Sequence, residues 1–243
     1  MFGTFFLLTQ YLQVVRSYTP LEAGVRTLPM AATMMIMAPM SARFVERFGA
    51  RAVVSAGLTF VAAGLFLASL LGATTPYFWL AGVLVMATGM SISMAPATAS
   101  IMSSLPLRKA GVGSGWNDTT RELGGALGVA VLGSVMASQY TSELTGRLGG
   151  VPAEIGRVAE TSVGAAVQIS TELPATLGDA LSAAAKTAFM DAMGVALVVA
   201  AGVSLVAAAV VRRYLPGPIE VIAHGEVAEP AETGEPASAT LPA

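Results

Sequence analysis

Six long apolar stretches, separated by short polar segments, account for most of the chain. They cover residues 1–15, 24–42, 52–72, 77–102, 112–140 and 188–211. A helix needs about 20 mostly apolar residues to cross the roughly 30 Å hydrocarbon core of a membrane, whereas a barrel strand needs only about 10 alternating ones. The pattern therefore predicts an all-α membrane protein, with six transmembrane helices in one bundle over residues 1–215.

Two segments depart from this pattern. Residues 141–187 mix Gly, Pro and charges with short apolar pieces, and we expect an outer loop in which 163–169 and 177–185 form amphipathic surface helices. Residues 216–243 are rich in Pro, Glu, Ala and Gly and contain no Lys or Arg. Such a composition cannot bury enough apolar area to offset the entropy of ordering, so it predicts a disordered acidic tail.

Composition supports a chain that is solvated by lipid. Hydrophobic residues make up 54% of the 243 residues and charged residues only 12%, against about 25% charged in a soluble domain. The chain has no cysteine, and its single histidine, His224, lies in the predicted tail. These facts exclude a thiolate or histidine metal site and a Ser–His catalytic pair. We expect no metal, no cofactor, no nucleic-acid partner and no enzymatic activity.

The basic residues of the short loops indicate the orientation. Most of them fall on one side if the spans alternate: Arg43, Arg47, Arg51, Arg108, Lys109, Arg212 and Arg213. Cytoplasmic loops carry the excess of Lys and Arg, so we expect both ends of the chain in the cytoplasm and the protein in the cell (inner) membrane. The first span starts without a cap or polar lead-in, which indicates a piece of a longer protein.

The fifth span contains three charged residues close together: Asp118, Arg121 and Glu122. Their spacing lets all three meet on a helix surface. A helix that is continuous from Lys109 would place Arg121 about 18 Å along its axis, inside the membrane, where charges are costly and usually functional. A helix that begins near Asn117 would instead leave the trio at the interface in a structural role. A role of the trio in coupling or gating and a structural role at the membrane interface both remain open.

Small residues follow the charges along the same span. Gly124 and Gly128 form a GxxxG pair, and Gly125 and Gly133 lie on a neighbouring stripe. Small residues allow helices to approach closely in lipid. We therefore expect these four glycines to pack against another helix.

Polar and aromatic side chains also share a face of the first span. Phe6, Gln10 and Gln13 follow the i, i+4, i+7 spacing, with Tyr11 beside them. Rings supply contact area and amides fix orientation, so these four residues are candidates for a substrate pathway. The alternative is that Gln10 and Gln13 hydrogen-bond to a neighbouring helix.

Taken together, these segments resemble a known family. Residues 8–13 with the following turn, residues 43–51 and residues 117–133 resemble the carboxy-terminal half of a major facilitator superfamily transporter, in the fourteen-span drug:proton antiporter branch. Within 43–51, the sequence Arg43-Phe44-Val45-Glu46-Arg47-Phe48-Gly49-Ala50-Arg51 is similar to the superfamily's cytoplasmic loop motif, with Glu46 in the acidic position. The resemblance implies that Glu46, Arg47, Gly49 and Arg51 are the motif residues of this chain.

The resemblance also implies a function. It suggests one half of the major facilitator fold, in a protein that exchanges protons for lipophilic drugs or similar small molecules by alternating access. The partners would be the lipid bilayer, these substrates and protons, and a missing amino-terminal half-bundle, without which we expect the chain to be inactive. The alternative is a non-transporting membrane scaffold, or a half-size unit that pairs with another chain.

Overall fold

The computed structural model describes residues 1–70, 78–149 and 151–215, and helices account for most of them. The long helices are α2 (Pro20–Phe48), α3 (Ala50–Ser69), α4 (Phe78–Ser103), α5 (Ala110–Thr145) and α8 (Ala175–Tyr214). Two short helices, α6 (Ala153–Thr161) and α7 (Val163–Ser170), lie between α5 and α8. The first helix, α1 (Phe2–Gln10), continues into a π-helical turn over Tyr11–Val15.

Five of these helices are long and apolar enough to cross a membrane, and the apolar segment Phe2–Val15 is shorter than a full span. No strand occurs in the described ranges, so the all-α membrane fold predicted from the hydropathy pattern is confirmed. Residues 71–72 and 77 of the predicted spans, and the predicted tail 216–243, lie outside the described residues.

Local sequence explains how α2 begins and ends. Thr19 caps the helix: its Oγ1 accepts a hydrogen bond from the backbone N–H of Glu22 at 3.3 Å, and the Glu22 carboxylate accepts one from the Thr19 N–H at 2.9 Å. Pro20 in the first turn suits this start, because its missing N–H would have no partner there. Gly49 alone joins α2 to α3, with φ at +78°, a conformation that favours glycine.

The closest helix pair is α3 with α4, which cross through glycines. Gly57 and Gly64 of α3 face Gly89 and Gly82 of α4. A Cβ atom at Gly64 would lie 2.6 Å from the carbonyl oxygen of Gly82, and one at Gly57 would lie 2.7 Å from that of Gly89. The two backbones are therefore in van der Waals contact, which only glycine permits at these positions.

The apolar core lies between α3, α4, α8 and one face of α1. Leu7 and Leu12 from the first helical segment, Met86 from α4, and Phe189 and Leu197 from α8 are all buried in one cluster. By contrast, few side chains of α2 and α5 are buried. Each of these two helices presents a long apolar surface that no other described helix covers.

The region between the last two spans differs from the sequence prediction. The fifth helix extends to Thr145 and the last begins at Ala175, so 177–185 is the start of α8 and not a separate surface helix. The reason is that its side chains are partly buried: Leu181 and Ala185 lie in the core and continue the apolar face of α8. Helices α6 and α7 fill the shorter gap that remains.

Polar contacts attach α6 to α5 and join α5 to α8. The hydroxyl of Tyr140 donates to the carbonyl oxygen of Ala159 at 3.0 Å. The Arg147 guanidinium contacts the Asp191 carboxylate at 2.8 Å and the Glu143 carboxylate at 3.0 Å. These contacts hold the end of α5 against α6 and against the middle of α8.

The opposite end of the bundle is strongly basic. The Nε atom of Arg51, at the start of α3, donates to the carbonyl oxygen of Leu215, just after α8, at 2.7 Å. One hollow is lined by residues of both the α2–α3 turn and the end of α4. The helix ends therefore gather seven basic residues, which we call the basic end: Arg43, Arg47, Arg51, Arg108, Lys109, Arg212 and Arg213. That this end faces the cytoplasm stays a prediction.

Candidate functional site

The first helix presents an open polar and aromatic face. Phe6 and Gln13 are exposed and Gln10 is half-buried. In the part of the chain that the structure describes, neither glutamine side chain hydrogen-bonds to a neighbouring helix. The described structure therefore gives no support to the alternative in which Gln10 and Gln13 only hydrogen-bond to a neighbouring helix.

Tyr11 lies elsewhere than the sequence analysis expects. Its side chain is 1% exposed and packs in the core, where it lines a cavity of about 30 Å³ together with Thr4, Met86 and Met193. The physical reason is helical phase: Thr4, Leu7 and Tyr11 repeat at the i, i+3, i+7 spacing, on the side opposite Phe6 and Gln13. Tyr11 is a core residue behind the open face.

A π-helical turn distorts this segment. The backbone N–H of Arg16 bonds to the carbonyl oxygen of Tyr11, five residues back, at 3.0 Å, and that of Tyr18 bonds to Leu12 at 3.0 Å. Such widened turns are rare in proteins, and those that occur are frequently found at functional sites. The turn includes Gln13, so the distortion and the polar face coincide.

The charged trio of α5 lies well inside a continuous helix. The helix begins at Ala110, and the alternative in which it starts near Asn117 is wrong. Asp118, Arg121 and Glu122 are all exposed, and no ion pair joins them in the described structure. The Asp118 carboxylate accepts a hydrogen bond from the Asn117 side-chain amide at 3.2 Å. Three charged side chains thus project from the surface of a membrane helix.

Helices α1 and α5 meet beside these charges. The ring of Phe2 rests on Gly125, where an added Cβ atom would be 2.8 Å from the ring. Phe2 and Glu122 line a shallow hollow of about 510 Å³ along α5. Phe2 and Arg121 line a second one of about 200 Å³. The start of α1 therefore lies beside Arg121 and Glu122 of α5.

The four glycines of α5 pack less closely than predicted. An added Cβ atom would meet nothing within 4 Å at Gly124, Gly128 or Gly133, and only Gly125 has a close neighbour. Helix α1 nevertheless covers part of this stripe, since an added Cβ atom at Gly3 would lie 3.1 Å from the Gly128 carbonyl oxygen. Four glycines make close backbone contacts between α3 and α4, and the seven-residue spacing from Gly57 to Gly64 and from Gly82 to Gly89 is a signal that sequence reasoning missed.

The loop-motif residues surround the Gly49 turn. Glu46 and Arg47 lie in the last turn of α2 and line a hollow of about 590 Å³ that reaches Pro96 on α4. Arg51 is tied to the end of α8 by its bond to Leu215. The structure thus brings the four motif residues into one neighbourhood, where they connect α2, α3, α4 and α8.

A second group that sequence reasoning missed lies at the α1–α2 turn. The Arg26 guanidinium stacks on the Tyr18 ring with its Cζ atom 3.8 Å from the ring centroid. Arg16 donates a hydrogen bond to the Tyr18 hydroxyl at 3.4 Å. That bond, together with the positive charge of both arginines, holds the pKa of Tyr18 below its usual value.

The fold and this surface define a multi-spanning helical membrane protein with polar groups exposed within its spans. The profile of the Major Facilitator Superfamily matches residues 1–129. The chain belongs to this superfamily of membrane transporters and is not an enzyme. The resemblance to the superfamily noted in the sequence is thereby confirmed.

Three relatives illustrate the similarity. The chain is 33% identical over 185 residues to the multidrug efflux pump LfrA of Mycolicibacterium smegmatis, a match that covers 76% of this chain and 36% of LfrA. It is 34% identical over 143 residues to the multidrug resistance protein Stp of Mycobacterium tuberculosis, covering 59% and 27%. It is 36% identical over 143 residues to the tetracenomycin C resistance and export protein of Streptomyces glaucescens, covering 56% and 26%. The chain spans about a third of the length of these relatives or less.

Proposed function

We propose that this chain forms one half-bundle of a transporter that exports lipophilic drugs or similar small molecules in exchange for protons. The names of the relatives support drug export, and the open surface on α1 and α5 supports a shared pathway. The half-bundle is completed by a partner bundle, and by itself it does not transport. The single observation that carries the proposal is the exposure of Asp118, Arg121 and Glu122 within α5.

The energetic argument concerns what these charges face. A charged side chain at the centre of a bilayer costs about 2.5–3.5 kcal/mol or more on insertion scales. Three such side chains, without an ion pair in the described residues, would be costly on a lipid-facing helix surface. A water-filled cavity between two bundles removes most of this cost. The trio therefore favours a cavity-lining role for this face of α5.

The face of α1 supplies complementary chemistry. Phe6 offers an aromatic surface, and the amides of Gln10 and Gln13 offer donors and acceptors without charge. A lipophilic ligand with one or two polar groups suits such a face, because apolar contact provides affinity and the amides provide orientation. The contact of Phe2 with Gly125 places the start of the same helix beside the charged residues of α5.

The two carboxylates provide the means of coupling to protons. An exposed carboxylate in a cavity can bind a proton from one side of the membrane and release it to the other when the bundles rock. Protonation of Asp118 or Glu122 also changes the charge next to Arg121, which alters how well a cationic ligand is tolerated. Proton binding and ligand binding are thus linked through the same surface.

The test is proton-driven efflux of a fluorescent lipophilic cation from cells. The chain is expressed alone and, in parallel, with any upstream coding sequence restored. We expect efflux that collapses with the proton gradient only in the longer form. Efflux by the 243-residue chain alone would contradict the partner requirement and favour a half-size unit that pairs with another copy, an arrangement for which the uncovered surfaces of α2 and α5 leave room.

Point variants in the active form test the coupling role. We expect Glu122→Gln and Asp118→Asn to lower gradient-driven efflux at least tenfold while leaving ligand binding in place. Glu172→Gln is the matched control, because Glu172 is an exposed carboxylate that lies outside α5. Unchanged efflux in both α5 variants would remove these residues as coupling groups.

A further inference from the structure

An apolar groove follows α3 on the outer surface of the bundle, away from the candidate pathway. It has a volume of about 510 Å³ and is lined along its length by Met37, Phe44, Phe60 and Ile92 from α2, α3 and α4. Ala52 and Ala56 form its floor on α3. The groove is open to the side from which lipid would approach, because these two alanines and Phe60 are exposed.

The length of the groove along α3 is close to the hydrocarbon thickness of one bilayer leaflet. Ala52 and Phe60 are eight positions apart on α3, which corresponds to about 12 Å along the helix axis. Half of a hydrocarbon core is about 15 Å. The groove therefore extends from the basic end of the bundle to near the membrane centre. An acyl chain of one leaflet covers the same distance, from its headgroup to the membrane centre.

The groove ends at a cationic side chain. Arg212, near the end of α8, lines the groove and is exposed, with no ion pair or hydrogen bond among the described residues. Arg51 lies close by, since its Nε atom bonds to Leu215, three residues beyond Arg212. At this end of the bundle, the described helix ends carry one acidic residue, Glu46, and the seven basic residues of the basic end. An anionic group is thus favoured at the mouth of the groove.

We propose that this groove is a binding site for an anionic diacyl phospholipid. One acyl chain lies between Phe44 and Phe60, and the headgroup phosphate contacts Arg212. Charge complementarity at the mouth and the apolar depth behind it argue together for this occupant, because basic pockets between membrane helices bind acidic headgroups. The acidic segment 216–243 could satisfy the arginines, but its glutamates are not suited to the apolar part of the groove.

The proposal does not depend on transport and is tested on the purified full chain in mixed bilayers. Electron spin resonance compares chain-labelled phosphatidylglycerol with chain-labelled phosphatidylcholine for the fraction of lipid immobilised by the protein. We expect the wild type to prefer phosphatidylglycerol. Arg212→Gln should lower that preference about fivefold, the effect of one basic residue near an anionic surface. Arg213→Gln is the matched control, since the neighbouring Arg213 does not line the groove.

Three further variants separate the alternatives. Ala56→Trp fills the groove at an exposed position and should lower immobilisation of both lipids, and Ala56→Leu should do so to a smaller extent if the tryptophan variant folds poorly. A chain that ends at Leu215 should keep the preference. An equal loss in Arg212→Gln and Arg213→Gln would overturn the proposal in favour of diffuse surface attraction. A marked gain on removing 216–243 would overturn it in favour of the acidic segment as occupant.

Discussion

The glycine contact between α3 and α4 leads to a prediction about stability with a defined sign. In Gly64→Ala, the new Cβ atom would lie 2.6 Å from the Gly82 carbonyl oxygen and 2.8 Å from the Met86 Cα atom. Both neighbours are backbone atoms, so no side-chain rotation relieves the clash and the helices must separate. Separation also weakens the contacts at Gly57 and Gly89 along the same seam.

The magnitude follows from two opposing terms. Overpacking typically costs about 1–3 kcal/mol, and we expect about 3 kcal/mol here because the clash is with backbone atoms. Alanine regains about 1 kcal/mol of helix propensity relative to glycine. The net expectation is a loss of about 2 kcal/mol in the free energy of unfolding.

Gly202→Ala is the matched control on α8. An added Cβ atom there meets nothing within 4 Å, so the substitution should stabilise the protein by about 0.5–1 kcal/mol through propensity alone. The assay is equilibrium unfolding in mixed micelles, followed by helical circular dichroism. Equal stability of the two variants would refute the close approach of α3 and α4.

Two further predictions concern tyrosines. Tyr140→Phe removes a buried hydroxyl that donates a hydrogen bond to Ala159, and it should lower the free energy of unfolding by about 1 kcal/mol in the same assay. Tyr214→Phe, at an exposed position, is the control and should have no measurable effect. Equal effects of the two variants would contradict the Tyr140 contact. The lowered pKa of Tyr18 predicts that its phenol ionises below the ordinary tyrosine pKa when absorbance is followed at rising pH, and that Tyr18→Phe removes this early component. Because the folded pKa lies below the unfolded one, the wild type should gain stability over Tyr18→Phe as pH rises through the Tyr18 pKa, and the gain should be complete above about pH 10. An unchanged titration curve in the variant would contradict the Arg16 and Arg26 contacts.

The helices themselves could be predicted from the sequence, because a membrane imposes a length and an apolar composition that can be counted along the chain. The hydropathy pattern predicts the second span from residue 24, whereas α2 begins at Pro20. The threonine cap, the first-turn proline and the glutamate three positions after the cap are local signals that the hydropathy pattern does not register. The superfamily followed from short motifs such as 43–51, and the family match confirms it.

The tertiary structure decided which side of each helix is buried, because that depends on neighbours far away in the chain. Periodicity groups Phe6 with Gln10, but only the packing of α1 on α4 and α8 shows that Tyr11 faces the core. Gly124 and Gly64 are both small residues in helices, yet one faces open surface and the other touches a backbone. Arg212 and Phe44 are separated by most of the chain, and only the fold brings them to the same groove. Local physics thus determined the helices, whereas their mutual packing determined the surfaces on which function depends.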